Sequence, residues 1–456
     1  MSIIEGLLIF FAIVFIYFVL VVILKKRGIL EKLNISLYGP ALLLRTNKGK
    51  NLLKKIARKK RFWKAYGSFA VVFCFIAMVI MVTVLILQAW LVLGFTPEQK
   101  EALPGPEIAL VLPGINPILP LEYIGYILLA LVVAIIVHEF SHGILTIAGD
   151  LKVKSLGILY LIMPVGAFCE PDEEQLKKAE TVKRMRVYAA GPLANFVVVL
   201  ISIVVLSFVF MPAVQPAADG VTIISVGEDS PAELAGFQPG MIIKSINNTN
   251  ITTFDEYFDL MDTTKANQSV EISYYWHGHK TKNVTLSDKY VEYEKRGGIK
   301  NESNKGLGYF GIYPINSQGF LPILKNPFGS LDNILVFYVI PLLGYFQGYN
   351  PIVSPFTESY IITGPLSVLP PGVFWMIVNA LYWIFWLNLA VGLFNVLPMI
   401  PLDGGFLFND AVGSLVSRIK KGLPEEKKEK IVKNVTLVIS LLILLAIIFP
   451  FLIKYI

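Results

Sequence analysis

Two cysteines in 456 residues leave no material for a disulfide framework or a cysteine-rich zinc domain. Charge is scarce as well. Asp, Glu, Lys and Arg make up 16% of the chain, against about 25% in soluble domains, while 55% of the residues are hydrophobic. That composition excludes a disordered chain and argues against an ordinary cytosolic protein. Acidic residues are missing from one stretch above all. Residues 25–64 hold 14 Lys/Arg and a single acid, Glu31, so a local +13 accounts for more than the whole net charge of +7 and the rest of the chain sums to −6. A basic excess confined to one loop is not a nucleic-acid-binding surface, and no nucleic-acid partner is expected. Histidine is limited to four positions: 138, 142, 277 and 279.

What is abundant is long apolar sequence. A helix needs about 20 apolar residues to cross a bilayer. Six runs qualify, at 3–24, 67–93, 121–147, 187–211, 372–397 and 435–453. The first lacks a basic leading region and a small-residue cleavage site, and reads as an uncleaved anchor. A shorter run at 334–346, interrupted by Pro341 and Gly344, reads as interfacial or re-entrant. Lys/Arg excess marks cytoplasmic loops. The +13 loop is therefore expected inside, and both termini outside. Loops 148–186 and 398–434, with seven Lys/Arg each, then also fall inside. The basic loop 25–64 is expected to meet anionic lipid headgroups as well.

Segment 212–330 differs in composition. Within 213–330 there are 13 acids and 10 bases, and short alternating apolar runs read as strands. Asn-x-Ser/Thr sequons at Asn247, Asn250, Asn267, Asn283 and Asn301 fit an extracytoplasmic surface. The stretch Ser230-Pro231-Ala232-Glu233-Leu234-Ala235-Gly236, followed by Gln238-Pro239-Gly240-Met241-Ile242-Ile243, resembles the PDZ domains of bacterial-type membrane and envelope proteases. Met241 stands where those domains usually carry Asp. The expected fold is a polytopic α-helical membrane protein of about six transmembrane helices, with an extracytoplasmic α+β PDZ-like domain between the fourth and fifth spans. The expected divisions are 1–66, 67–211, 212–330, 331–410 and 411–456.

The chemistry lies in the third span, in His138-Glu139-Phe140-Ser141-His142. Residues i and i+4 share a helix face, so both imidazoles can bind one metal, with Glu139 as general base. Ionisable residues inside a span are costly and by default functional. A hydrolytic zinc takes three protein ligands and keeps one open position. His277 and His279 lie in the outside domain, which leaves a carboxylate from another membrane segment. Asp403, in Asn395-Val-Leu-Pro398-Met-Ile-Pro401-Leu402-Asp403-Gly404-Gly405, is the candidate. The loop orientations put it at the cytoplasmic depth of the two histidines. A simpler role for Asp403 would be capping the helix that follows it.

These motifs, with Gly191-Pro192-Leu193-Ala194-Asn195 in the fourth span, resemble the site-2 proteases, zinc intramembrane proteases that cut membrane-anchored proteins. The lysine- and isoleucine-rich chain and its sequons suggest an archaeal member. The resemblance implies one zinc ion per chain, held by His138, His142 and Asp403, with Glu139 as catalytic base. It implies Asn195, Asn388 and Asn395 near the substrate backbone, single-span membrane proteins as substrates, and a substrate-clamping strand around Met163-Pro164-Val165-Gly166-Ala167-Phe168. It also implies a PDZ domain that filters substrates by size. The alternative is a non-enzymatic PDZ-containing membrane receptor or chaperone with a degenerate metal site. A zinc transporter fits less well, because no internal repeat is visible and Glu139 would be superfluous. A membrane peptidase with a glutamate third ligand also fits less well, since Glu425 and Glu426 sit in a basic loop.

Overall fold

Apolar runs too long for a soluble core become the long helices. The computed structural model describes residues 3–32, 35–38, 41–46, 49–103, 105–109, 116–160, 164–297 and 301–454. Among the described residues, five helical stretches are long and apolar enough to cross a membrane: Lys60–Leu93, Leu121–Ala148, Thr181–Ala213, Pro371–Asn395 and Glu425–Ile453. The first apolar run, expected as a sixth span, coincides with a 24-residue helix, Ile3–Lys26. Helix Lys60–Leu93 has 34 residues and is therefore about 51 Å long, which exceeds the roughly 30 Å hydrocarbon core. Its first turns carry Lys60, Arg61 and Lys64 ahead of the apolar stretch. The run expected to be interfacial or re-entrant forms a continuous helix, Leu331–Gln347, with Pro341 inside it. Its 17 residues extend about 26 Å, short of a full crossing.

Contacts divide the chain into two units, Met1–Glu107 with Ile127–Leu200 and Ile384–Ile456, and Ile108–Tyr126 with Ile201–Trp383. The first unit contains an antiparallel sheet in the order β1-β2-β3-β4, from β1 Ile35–Tyr38, β2 Ala41–Thr46, β3 Val153–Tyr160 and β4 Pro164–Pro171. Half of this sheet comes from the basic loop, which the sequence reading treated only as a charge signal. The loop also forms helix Lys50–Ile56, whose Leu53 is fully buried against Ile144 and Leu145 of the histidine-bearing helix. Of the expected clamping strand, Met163 lies outside the described residues and Pro164 to Phe168 fall within β4. The Ser155 hydroxyl and, after it, the Arg45 guanidinium hold the Glu170 carboxyl below its usual range.

The second unit contains the polar insert. Its main sheet runs β10-β9-β7-β6 and then Ile312–Asn316, with β8 paired to β7 (β6 Val221–Val226, β7 Ile242–Ile246, β8 Thr249–Asn250, β9 Ser269–Tyr275, β10 His279–Thr285). A two-stranded pair, β5 Val214–Pro216 with Tyr360–Ile362, lies outside that sheet. Alternation turns Val221 with Ile223 and Val270 with Ile272 into one buried core, which Ile243 and Ile246 join across a register shift between Ile243 and Ser245. Ser230 caps the short helix Pro231–Leu234 by accepting from the Glu233 N–H at 3.2 Å. Met241, the departure from the PDZ pattern, is 7% exposed and belongs to this core, a place that suits a thioether better than a carboxylate. The asparagines of all five sequons in the insert are exposed.

Candidate metal centre

Helix Ile124–Ala148 carries His138 and His142 one turn apart, with ring centroids 4.8 Å from each other. Helix Pro371–Asn395 ends at Asn395, and a short irregular segment leads into helix Asp403–Ile419. Ile400 N–H donates to Ser440 Oγ at 3.1 Å, which ties this segment to the last helix. Gly404 allows the segment to fold back tightly. A Cβ there would lie 2.3 Å from the Val396 carbonyl oxygen. Asp403 is the first residue of its helix, and the N-cap is Leu402, with no side-chain capping bond. The capping role is therefore not what its carboxylate performs.

Instead Asp403 Oδ2 lies 3.0 Å from His138 Nε2 and 3.1 Å from His142 Nε2. One ligand atom from each of the three residues falls within 4.8 Å of the others. The hydrogen bonds behind the rings decide their tautomers. His142 Nδ1 is 2.7 Å from the Val187 carbonyl, which can only accept, so Nδ1 carries the proton. His138 Nδ1 is 2.7 Å from Asn195 Oδ1. The Asn195 amide is itself oriented, because its Nδ2 donates to the Ala134 carbonyl and to Asn388 Oδ1, both at 3.0 Å. Asn388 Nδ2 donates to the Ile384 carbonyl at 2.8 Å, which fixes that amide too. In the neutral ring each Nε2 then presents its lone pair to a carboxylate oxygen.

A buried oxygen without a hydrogen-bond donor, facing two bare imidazole nitrogens, is an unfavourable arrangement that a cation relieves. The opposite wall is kept clear. A Cβ on Gly191 would stand 2.5 Å from His142 Nε2 and 2.7 Å from His138 Nε2. The donor set of two imidazoles and one carboxylate, with space beside it, fits zinc.

Glu139 is half-buried on the same helix, and its Oε2 accepts from the Cys169 N–H of β4 at 2.8 Å. Burial, and after it the Glu139 carboxylate, push the Cys169 thiol up to about 12. Cys74 is buried in helix Lys60–Leu93 and is a free thiol, like Cys169.

The three asparagines expected near the substrate backbone sit differently. Asn195 and Asn388 are fully buried, and their amides are committed to the chain behind His138. Asn195 spends both amide hydrogens there, while Asn388 accepts one of them and donates one of its own to the Ile384 carbonyl. Asn395 is half-buried and donates to the Val391 carbonyl of its own helix at 3.0 Å. Sequence reasoning missed Arg184 and Asp410. The Arg184 guanidinium grips Asp410, Nη2 to Oδ1 at 2.8 Å and Nε to Oδ2 at 3.0 Å. The seven-residue spacing from Asp403 to Asp410, two turns on one helix face, was the available signal.

The chain is similar to known proteins over much of its length. The profile described as Peptidase family M50 matches residues 126–443. The chain is 26% identical over 426 residues to an uncharacterized protein of Methanocaldococcus jannaschii, covering 91% of this chain and 92% of that one. It is 24% identical over 264 residues to the regulator of sigma-W protease RasP of Bacillus subtilis, covering 55% and 56% of the two chains. It is 26% identical over 269 residues to the zinc metalloprotease RasP of Shouchella clausii, covering 57% and 58%. Among solved structures, the PDZ domain of an SdrC-like protein of Listeria monocytogenes aligns at 20% identity and a TM-score of 0.18, over 23% of this chain and 96% of that domain. The chain belongs to peptidase family M50, the site-2 protease family. It is a membrane zinc metalloprotease.

Proposed function

We propose that this protein is an intramembrane endopeptidase that cuts membrane-anchored proteins in or near their transmembrane segment. The observation that carries the reading is the orphaned Asp403 Oδ2, facing two lone-pair nitrogens on a helix apolar enough to span a bilayer. His138, His142 and Asp403 hold the zinc. When bound, the zinc supplies a Lewis acid that makes water nucleophilic near neutral pH and polarises the scissile carbonyl.

The protein's own groups do the rest. Glu139 takes the proton of the attacking water and returns it to the leaving amine. The Cys169 N–H holds one oxygen of that carboxylate, so the other is presented in a fixed orientation. Asn195 and Asn388 position His138. A substrate helix hides its carbonyls in its own hydrogen bonds and must unwind to be cut. β4 stands at the end of its sheet, and an extended segment can add to that edge. Asn395, half-buried at the end of its helix and leading into the Asp403 segment, positions the substrate backbone.

The decisive experiment pairs two variants of the full-length protein in detergent or nanodiscs. Glu139→Gln is expected to keep its zinc and lose cleavage of a single-span reporter by at least about 100-fold. Asp403→Ala is expected to lose both. Wild-type cleavage by Glu139→Gln would overturn the mechanism, and unchanged zinc in Asp403→Ala would remove the third ligand.

The PDZ-like insert acts as a size filter that admits substrates only after their ectodomain is trimmed. Deleting 219–315 is expected to permit cleavage of untrimmed substrates, and unaltered size selectivity would reject the filter. The basic segment meets anionic lipid. Leu52, Ile56 and Phe62 are exposed there among exposed Lys54, Lys55, Arg58, Lys59 and Arg61, an arrangement suited to a headgroup layer. Native mass spectrometry should find fewer bound phosphatidylglycerol molecules on the Lys54→Glu/Lys55→Glu/Arg58→Glu variant. Equal occupancy would reject this contact.

A further inference from the structure

Of the three ligands, Asp403 alone lies off the histidine helix. It follows an irregular segment, so its depth depends on how helix Asp403–Ile419 is seated. A slide of one residue along the axis is 1.5 Å, enough to break both 3.0–3.1 Å approaches to the imidazoles.

Helix Asp403–Ile419 packs along helix Glu425–Ile453, and helix Thr181–Val205 adds an ion pair and a ring stack to its other contacts. Arg184, Tyr188, Gly191 and Asn195 follow one another there at intervals of four, three and four, along one face. On the facing helix, Asp403, Phe406 and Asp410 are three and then four apart. The two rows meet in antiparallel order. Arg184 grips Asp410, Tyr188 stacks on Phe406 with ring centroids 5.3 Å apart at 26°, and Gly191 adjoins the nitrogens that face Asp403. The ion pair is two turns, about 10 Å, from the ligand along the axis.

Asp410 is 8% exposed. The fork of Arg184 is fully committed, since Nη1 donates to the Ala179 carbonyl at 2.8 Å while Nε and Nη2 hold the carboxylate. A bidentate pair fixes rotation and rise together, which a single contact does not. The Asp403 carboxylate cannot take either role at the ion pair, because it faces the imidazoles two turns away.

We propose that Arg184 and Asp410 are positioning residues for the metal centre, and that their ion pair sets the depth and rotation at which Asp403 meets His138 and His142. The proposal rests on the metal reading of those three residues, and the experiment separates the two.

Zinc affinity is measured on the full chain in detergent, by competition with a fluorescent chelator, using the folded fraction from size exclusion. Arg184→Lys keeps the charge but not the fork, and Asp410→Asn keeps the shape but not the charge. Each is expected to weaken zinc binding at least fivefold, and the double variant no more than the worse single. Asn409→Ala is the control. It removes a hydrogen bond from Thr436 to the same helix at 3.1 Å, outside the ladder, and is expected to leave zinc affinity within twofold.

Two results would overturn the positioning role. One is Arg184→Lys and Asp410→Asn both binding zinc within twofold of wild type. The other is Asn409→Ala weakening zinc as much as they do, which would mean general loosening of the helix. If Asp410→Asn does not purify folded, Arg184→Lys decides by the same threshold. Asp403→Ala keeping wild-type zinc affinity would instead overturn the metal site itself, whatever the ladder variants do.

Discussion

Asn195 donates its Nδ2 to Asn388 Oδ1 at 3.0 Å, and that bond helps decide which nitrogen of His138 faces Asp403. With Nδ2 spent on Asn388 and on the Ala134 carbonyl, only Oδ1 is left for the imidazole. In its neutral form His138 then carries its proton on Nδ1 and turns the Nε2 lone pair toward Asp403. Two buried amides, on two helices, thus set the tautomer of a ligand on a third.

Asn195→Ala should therefore weaken zinc binding by about 10–100-fold, the usual effect of removing such a support. Asn388→Ala should have a smaller effect, because Asn195 keeps its bond to Ala134. Chelator competition checks the order. A larger loss in Asn388→Ala than in Asn195→Ala would contradict the polarity of the chain.

Gly191→Ala adds one methyl where both Nε2 atoms are under 3 Å away. Alanine favours helix, so the fold should survive and circular dichroism should be unchanged. Zinc content by mass spectrometry should drop well below one per chain. Full occupancy in a folded Gly191→Ala would show that this wall does not bound the metal.

Gly404→Ala places a Cβ 2.3 Å from the Val396 carbonyl oxygen, a backbone atom that cannot swing aside. The segment before Asp403 has to move, and the ligand with it. Thermal stability and zinc content should both fall. A variant with wild-type values of each would mean that the fold-back is looser than drawn.

Glu170 gives a pH dependence with a definite sign. Its carboxyl is held below the usual 4.5, first by the Ser155 hydroxyl and then by Arg45. A group lowered on folding stabilises the protein above its unfolded value, and that contribution disappears as pH falls through the folded one. Glu170→Gln should melt below wild type at pH 7, and the two should converge as pH falls below 4.5 and through the lowered folded value. The gap should be modest, since Glu170 is one-third exposed and solvent screens the pair. A gap that widens on acidification would reverse the sign.

Some of this was legible in one dimension and some was not, and the difference is physical. His138 and His142 could be assigned to one metal because helical periodicity is local: four residues bring two side chains to the same face in any helix. Alternation in the insert likewise announced its buried strands. Asn195 and Asn388 were visible as motif members, but their role was not. Whether an amide meets a peptide or an imidazole depends on what stands opposite, and Asn388 is 193 residues away along the chain. The hairpin of β1 and β2 was hidden by its own charges. Residues 25–64 looked like a topology signal, and nothing local says that Leu42 to Leu44 will pair with Leu159 and its neighbours in β3.

The sequence by itself determined that the chain carries several membrane-spanning helices and a polar insert, and it marked the two histidines with Glu139 and Asp403 as the candidate carboxylate. Hydropathy and helical spacing are properties of neighbours, and they survive without the fold. Only the tertiary structure decided that the Asp403 oxygen stands bare before two oriented imidazoles, that Gly191 keeps the space open, and that Arg184 meets Asp410. Those relations join residues as many as 226 positions apart, through contacts that exist only after the helices have packed.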